Sequence, residues 1–384
     1  MKDASQLLES IDRYKRGFWG RQATDRPPIS VYPYRCLVPV NYLKQSFERA
    51  EVVPGDVTSE LLRTDYEDAS FGRRVFTDDF MPFNSPWRGI PWLEAICGCR
   101  VGFADGALAP LPFVESISDL NDAPFPADQV WSECLAEETA KLVATNPPDC
   151  WVSPTIIRGV SDTLAGARGL TNFFLDLYDA PDLVDRAARR IGAVLLDVVQ
   201  RHFGRVLPKE GGYGHIYGYW APCPTFVLQE DVLGLCAPEI YRAHFLEVDA
   251  GIVERLEGHT LFHLHTSGYR HYRDILGITG LAGMQITVEA TGPSLRDLAP
   301  VFREVIEHMR LMLLVDAHFD ELPWLLRQLP RDGLSVIVPD KYIPTEAAFR
   351  TFVADNWHLL HARRNSPLTP LVESESSYPG RPHV

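Results

Sequence analysis

The chain has 384 residues, of which 46% are hydrophobic and 23% charged, the balance of a folded globular protein and not of a disordered, fibrous or coiled-coil one. Its 37 basic and 51 acidic residues leave a formal charge of −14, which disfavours nucleic acid and, through the bulk field, a strongly anionic small substrate. No run of about 18 apolar residues occurs and Met1-Lys2-Asp3-Ala4-Ser5 opens no apolar signal segment, so a cytoplasmic protein without a membrane span is expected. Cysteines 36, 97, 99, 134, 150, 223 and 236 form an odd, scattered set that reads as reduced thiols; Cys97-Gly98-Cys99 lacks the spacing of a zinc ribbon.

In chain order, residues 1–25 are expected to form a helical extension. Ile29 to Tyr34, after Pro27-Pro28, reads as a strand, and a second strand is placed near residue 97. Trp151 to Ile157 is an apolar strand interrupted by Pro154. Thr171 to Phe203 has helical periodicity and is predicted to break at Pro181, which cannot donate the i−4 hydrogen bond. Strands at Tyr213–Tyr219, Thr260–His265, Met284–Val288, Leu311–Val315 and Leu334–Val338 then alternate with helices. Those helices are placed at 237–256, 269–276, 294–309, 321–329 and 345–360, with Ser294 a candidate N-cap.

Eight strand–helix units predict a (β/α)8 barrel over residues 26–362, with a loosely ordered tail at 363–384. Neither a G-x-G-x-x-G nor a G-x-x-x-x-G-K-[ST] motif competes.

In such a barrel, function sits at the carboxyl ends of the strands. Phe262-His263-Leu264-His265 places both histidines on one face if Phe262 and Leu264 pack outward, which suits one divalent metal or a core-plus-substrate role. Glu289, on the face shared by Gln285 and Thr287, and Asp316 or His318, after Leu311–Val315, are candidate third ligands. Asp316-Ala317-His318 reads equally as a helix N-cap. His215, Tyr217, Tyr219 and Trp220 would line a pocket or fill the barrel. Arg35 and Arg158 are candidate carboxylate clamps, and Asp78, Asp79 and Asp231 are candidate acid/base or ligand carboxylates, with solvated or capping loop residues as the alternative.

These residues carry a family resemblance. Phe262 to Gly268, His271 to Leu276 and Gly280 to Gln285 resemble the fifth and sixth strand region of the uroporphyrinogen decarboxylase superfamily. Trp220, Leu228 to Asp231 and Ala237 to Tyr241 resemble its "LQ-D" and "SPE" segments, and Pro91 to Ala95, Gly98-Cys99 and Asp316 to Gly333 also fit. The likeness spans roughly residues 25 to 360 and implies a barrel with its cleft at the strand carboxyl ends.

It also implies one of two chemistries. The decarboxylases hold substrate propionates on an arginine-rich N-terminal segment, of which only Arg35 remains here, and use an Asp for which Asp78 or Asp79 could stand in. The cobalamin-linked methyltransferases hold zinc through H-x-C and a later Cys. Here His265 replaces the first Cys, and Asp316 or His318 stands near the second.

The expectation is therefore zinc-dependent methyl transfer to a corrinoid or thiol acceptor, the corrinoid being carried by a partner protein. Decarboxylation of a porphyrinogen or related acid, or simple binding of a small molecule, is the alternative. In this reading His263, His265 and Asp316 are catalytic, and Glu289 and His318 are further metal candidates. Arg35, Asp79, Arg158, Tyr217, Tyr219, Trp220 and Gln285 contact a small-molecule substrate, in a monomer or homodimer.

Overall fold

The computed structural model describes residues 4–33, 51–57, 77–104, 107–122 and 129–361. The expected tail at 363–384 lies outside them, as do Arg35 and Cys36. Eight short parallel segments organise the chain: β1 (Ile29–Tyr32), β2 (Phe83–Asn84), β3 (Trp151–Val152), β4 (Phe226–Gln229), β5 (Thr260–His265), β6 (Gly283–Val288), β7 (Arg310–Val315) and β8 (Leu334–Pro339). Six form one sheet in the order β1-β8-β7-β6-β5-β4, so the first strand pairs in parallel with the last. β2 pairs with β3, and the chain leaving β3 reaches β4 through the bridge Arg158–Gln229. The fold is mixed α/β.

Period-2 alternation divides each strand between two apolar clusters. Phe262 and Leu264 of β5, Met284, Ile286 and Val288 of β6, and Leu311, Leu313 and Val315 of β7 pack against the helices. Val227, Leu261, Met312, Leu314 and Ile337 face the other way and meet Tyr14, Phe18 and Trp19 from the N-terminal segment. Ala4–Asp12 is an α-helix continued by a π-helical stretch, Arg13–Trp19, and the Trp19 indole donates to Trp220 O at 2.8 Å. Each such buried apolar side chain contributes about 1.5–3 kcal/mol, so these two layers dominate the stabilisation.

The helical expectations at 171–203 hold in detail. Leu170–Asp179 ends before Ala180 and Pro181–Phe203 begins with proline at its first turn, where no N–H is needed. Ser294 caps Leu295–His308, its hydroxyl accepting from Asp297 N while Asp297 accepts from Ser294 N at 3.1 Å. The 237–256 stretch is two helices, Pro238–His244 and Leu246–Arg255.

Two strand expectations are corrected. Residue 97 ends a helix, Trp92–Ile96, and the strand that follows, Arg100–Ala104, joins an antiparallel hairpin with Ala107–Leu111 outside the main sheet. Tyr213–Tyr219 is no strand but the arm and turn of a small hairpin, Tyr213–Gly214 against Trp220–Ala221, with Gly218 at φ +68°. Its alternating tyrosines and histidine imitate a strand, while the positive φ that turns the chain needs only a glycine. The place goes to β4. The six described cysteines are free thiols. No helix among the described residues is long and apolar enough to cross a membrane.

Candidate metal centre

The register across β4, β5 and β6 sets Gln229, His263 and Gln285 in one row, so their side chains project to the same side. Two residues further along β5, His265 shares that face. After Gln229 the chain passes Glu230 and turns into a 3-10 helix, Asp231–Leu235, which swings Asp231 back over the two imidazoles. Asp231 Oδ1 lies 3.8 Å from His263 Nε2 and 3.4 Å from His265 Nε2. Among the described residues these three form the one group of ligand atoms that all lie within 4.8 Å of one another.

The far atom of each ligand is engaged elsewhere. His263 Nδ1–H donates to Gln285 Oε1, which turns the Nε2 lone pair toward Asp231. Gln285 Nε2 donates in turn to Thr287 Oγ1 at 3.2 Å, and the Tyr217 hydroxyl lies 3.3 Å from His263 Nδ1 with its ring parallel to the imidazole. Glu289 Oε1 stands 3.0 Å from His265 Nδ1, within ion-pair distance though off the N–H direction. Gln229 Nε2 donates to Asp231 Oδ2 at 2.6 Å. Outer partners of this kind fix ring orientation and tautomer in metal sites.

The geometry fits a cation. Ligand atoms about 2.0–2.1 Å from a tetrahedral centre lie about 3.3–3.4 Å apart, close to the 3.4 and 3.8 Å separations here. Without one, a proton takes its place. Burial alone would lower His265, but Asp231 and Glu289 outweigh it and push the imidazole up to about 10. Burial, then the neighbouring His265, takes His263 down to about 4. Asp231 would be raised by burial, yet the two histidines hold it at about 2.

Several expected site residues lie elsewhere. Asp316 stands outside the converging group: its Oδ1 meets Lys341 Nζ at 2.6 Å, a partner delivered by the end of β8. His318 stands outside the cluster too, in left-handed conformation (φ 56°) before the 3-10 turn Phe319–Glu321, and neither it nor Asp316 caps that turn with its side chain. Glu289 touches the outer nitrogen of His265 instead of joining the ligand group. Arg158 pairs with Glu94 Oε1 at 2.5 Å, a carboxyl that burial pushes up and Arg158 pulls down.

Tyr219 and Trp220 are fully inside, with Tyr219 against His215 and Trp19, so they fill the interior and do not wall a pocket. Asp79 lies at the amino end of β1, where it binds Arg13, Arg26 and the Ile29 amide; Asp78 accepts from Val31 N. Asp79 thus stands at the end of β1 opposite to its carboxyl end. Gln229 joins this cluster from the end of β4 without having been singled out by the alternation of the sequence. Its sequence signal is the apolar strand run Phe226-Val227-Leu228 directly before Gln229-Glu230-Asp231, which the strand-like alternation at 213–219 outweighs.

No family model and no curated protein sequence matches the chain. Among solved structures it is similar to a methyltransferase from Methanosarcina mazei, with a TM-score of 0.58 and 12% sequence identity over 87% of this chain and 92% of that one. At that identity the likeness is one of fold.

Proposed function

We propose that the chain is a metal-dependent, methyltransferase-like enzyme of the uroporphyrinogen decarboxylase type, with Asp231, His263 and His265 holding one zinc ion at the mouth of a (β/α)8 barrel. The convergence of those three ligand atoms carries the reading. Three protein ligands leave an open position, as a catalytic zinc requires. Barrel closure is supported by the parallel return of β8 to β1 and by the β2–β3 and Arg158–Gln229 links. The shared fold with the Methanosarcina mazei methyltransferase is consistent with it.

Zinc bound there supplies a Lewis acid that lowers the pKa of a thiol or hydroxyl acceptor or polarises a methyl donor. The chain's own residues do the rest. Gln285 and Glu289 hold the outer nitrogens of the histidines, Gln229 holds Asp231, and Tyr217 closes the side beside His263. The methyl group would travel on a corrinoid carried by a partner protein. Methyl transfer is favoured over decarboxylation because both carboxylates that could serve the second chemistry are engaged, Asp78 by the Val31 amide and Asp79 by Arg13 and Arg26 at the amino end of β1.

Elemental analysis of the full chain tests the metal: about one zinc per chain is expected, and a metal-free active protein overturns it. Two imidazoles and a carboxylate also suit Fe(II), so iron in place of zinc would correct the metal alone. Methylcobalamin with a series of thiols, followed through the corrinoid absorbance, tests the chemistry. Absence of transfer together with consumption of uroporphyrinogen would replace it with decarboxylation.

A further inference from the structure

Between the ends of β3 and β4 the backbone ladder consists of one bridge, Arg158 to Gln229, followed by Gly159 N donating to Gln229 O at 2.6 Å. Beyond that point the two segments hold each other through carboxylates. Val160 N and Ser161 N donate to the two oxygens of Glu230 at 2.6 and 2.8 Å, and the Ser161 hydroxyl donates to the second of them. In the other direction, Asp231 N and Val232 N donate to the two oxygens of Asp162 at 3.0 and 2.9 Å. Each carboxylate takes two consecutive amides of the opposite segment. Both are buried, Glu230 with 2% and Asp162 with 6% of its surface exposed. Gly159 makes the approach possible, since a Cβ there would lie 2.0 Å from Glu230 Oε1.

Val160 and Ser161 open the helix Val160–Arg168, and Asp231 and Val232 open the 3-10 helix, so these amides have no acceptor within their own helices. Each carboxylate caps the helix of the opposite segment, which offsets the cost of its burial. The place of one cap reaches further: the amide that Asp162 grips is that of Asp231 itself, so the grip fixes the backbone from which the third ligand projects. We propose that Asp162 and Glu230 are positioning residues that clamp the β3 and β4 ends together and aim Asp231 at the two histidines. The inference rests on the metal-site reading above.

The test uses the full chain with Co2+ as a spectroscopic probe and the substitution Asp162→Asn, which keeps the side-chain volume but offers one acceptor oxygen where two amides arrive. Co2+ affinity is expected to fall about 10- to 100-fold with a changed d–d spectrum. In the metal-free protein, amide exchange should accelerate at residues 230–233 and stay unchanged in β5 and β6. If Asp162→Asn fails to fold, Ser161→Ala, which removes only the hydroxyl donor to Glu230, should shift the affinity and the spectrum in the same direction. A folded Asp162→Asn protein with lower thermal stability but wild-type Co2+ affinity and spectrum overturns this proposal alone. A wild-type chain that binds no Co2+ overturns the metal reading and this proposal with it.

Discussion

At the amino end of β1, Asp79 is wrapped by Arg13, Arg26 and the amide of Ile29, with Asp25 accepting from Arg13 outside. At the carboxyl ends of β4 and β5, Asp231 faces His263 and His265 with their acceptor atoms converging and their donors turned away. Both clusters are polar, charged and partly buried, yet they are filled in opposite ways. Donors matched to acceptors complete the first, which holds the N-terminal segment onto the strands. Convergent acceptors leave the second in want of a positive charge, and the rise of His265 to about 10 is the mark of that demand.

The largest effect should come from His265→Ala. Zinc content is expected to fall from about one per chain to near zero, with the fold retained by circular dichroism, because two ligands do not hold a catalytic zinc. Full occupancy in that variant would erase the distinction between the two ends. Asp79→Ala should do the reverse. It takes the carboxylate partner from the buried Arg26, leaves Arg13 with Asp25 and Glu9, and should cost about 3 kcal/mol of unfolding free energy in urea titration, while the metal content per folded chain stays unchanged.

A buried histidine of the matched kind sharpens the contrast. His202 accepts from Thr155 N at 2.9 Å through Nε2 and faces Thr139 Oγ1 through Nδ1, and burial holds it down at about 4. The unfolded chain therefore takes up a proton below about pH 6.5 that the folded chain refuses. Stability should be full above pH 6.5 and decline by about 3 kcal/mol as pH falls to 4 and below, and His202→Gln should flatten that part of the profile. The smallest effect is expected from Glu289→Gln, which keeps a contact to His265 but removes the charge. Zinc affinity should weaken about 10- to 100-fold by competition with a chelator, without loss of folding. An unchanged affinity would remove Glu289 from the site.

The legible part of the site is the part that lies on one strand. His263 and His265 share a face because Phe262 and Leu264 pack outward, as their period-2 spacing demands. Gln285 and Glu289 follow from the same alternation on β6. What the sequence could not display was which strand ends meet. Asp316 directly follows β7, as the site would require, but Lys341 arrives from the segment after β8 to pair with it. Arg158 ends its segment in the expected place, but Glu94 comes from a helix 64 positions earlier to claim it. Tyr219 and Trp220 look like pocket residues until the hairpin turns them inward onto Trp19.

Hydrophobic periodicity by itself determined that the chain alternates strands and helices, that the strands run parallel, and that two histidines point together from β5. These are local properties, since the period of a strand or helix is written in consecutive residues. Only the tertiary structure decided that Asp231 completes the group and that Asp316, His318 and Asp79 do not. Membership depends on a few ångströms between side chains from different strands. That spacing is set by the β4–β5 register and by the turn after Glu230.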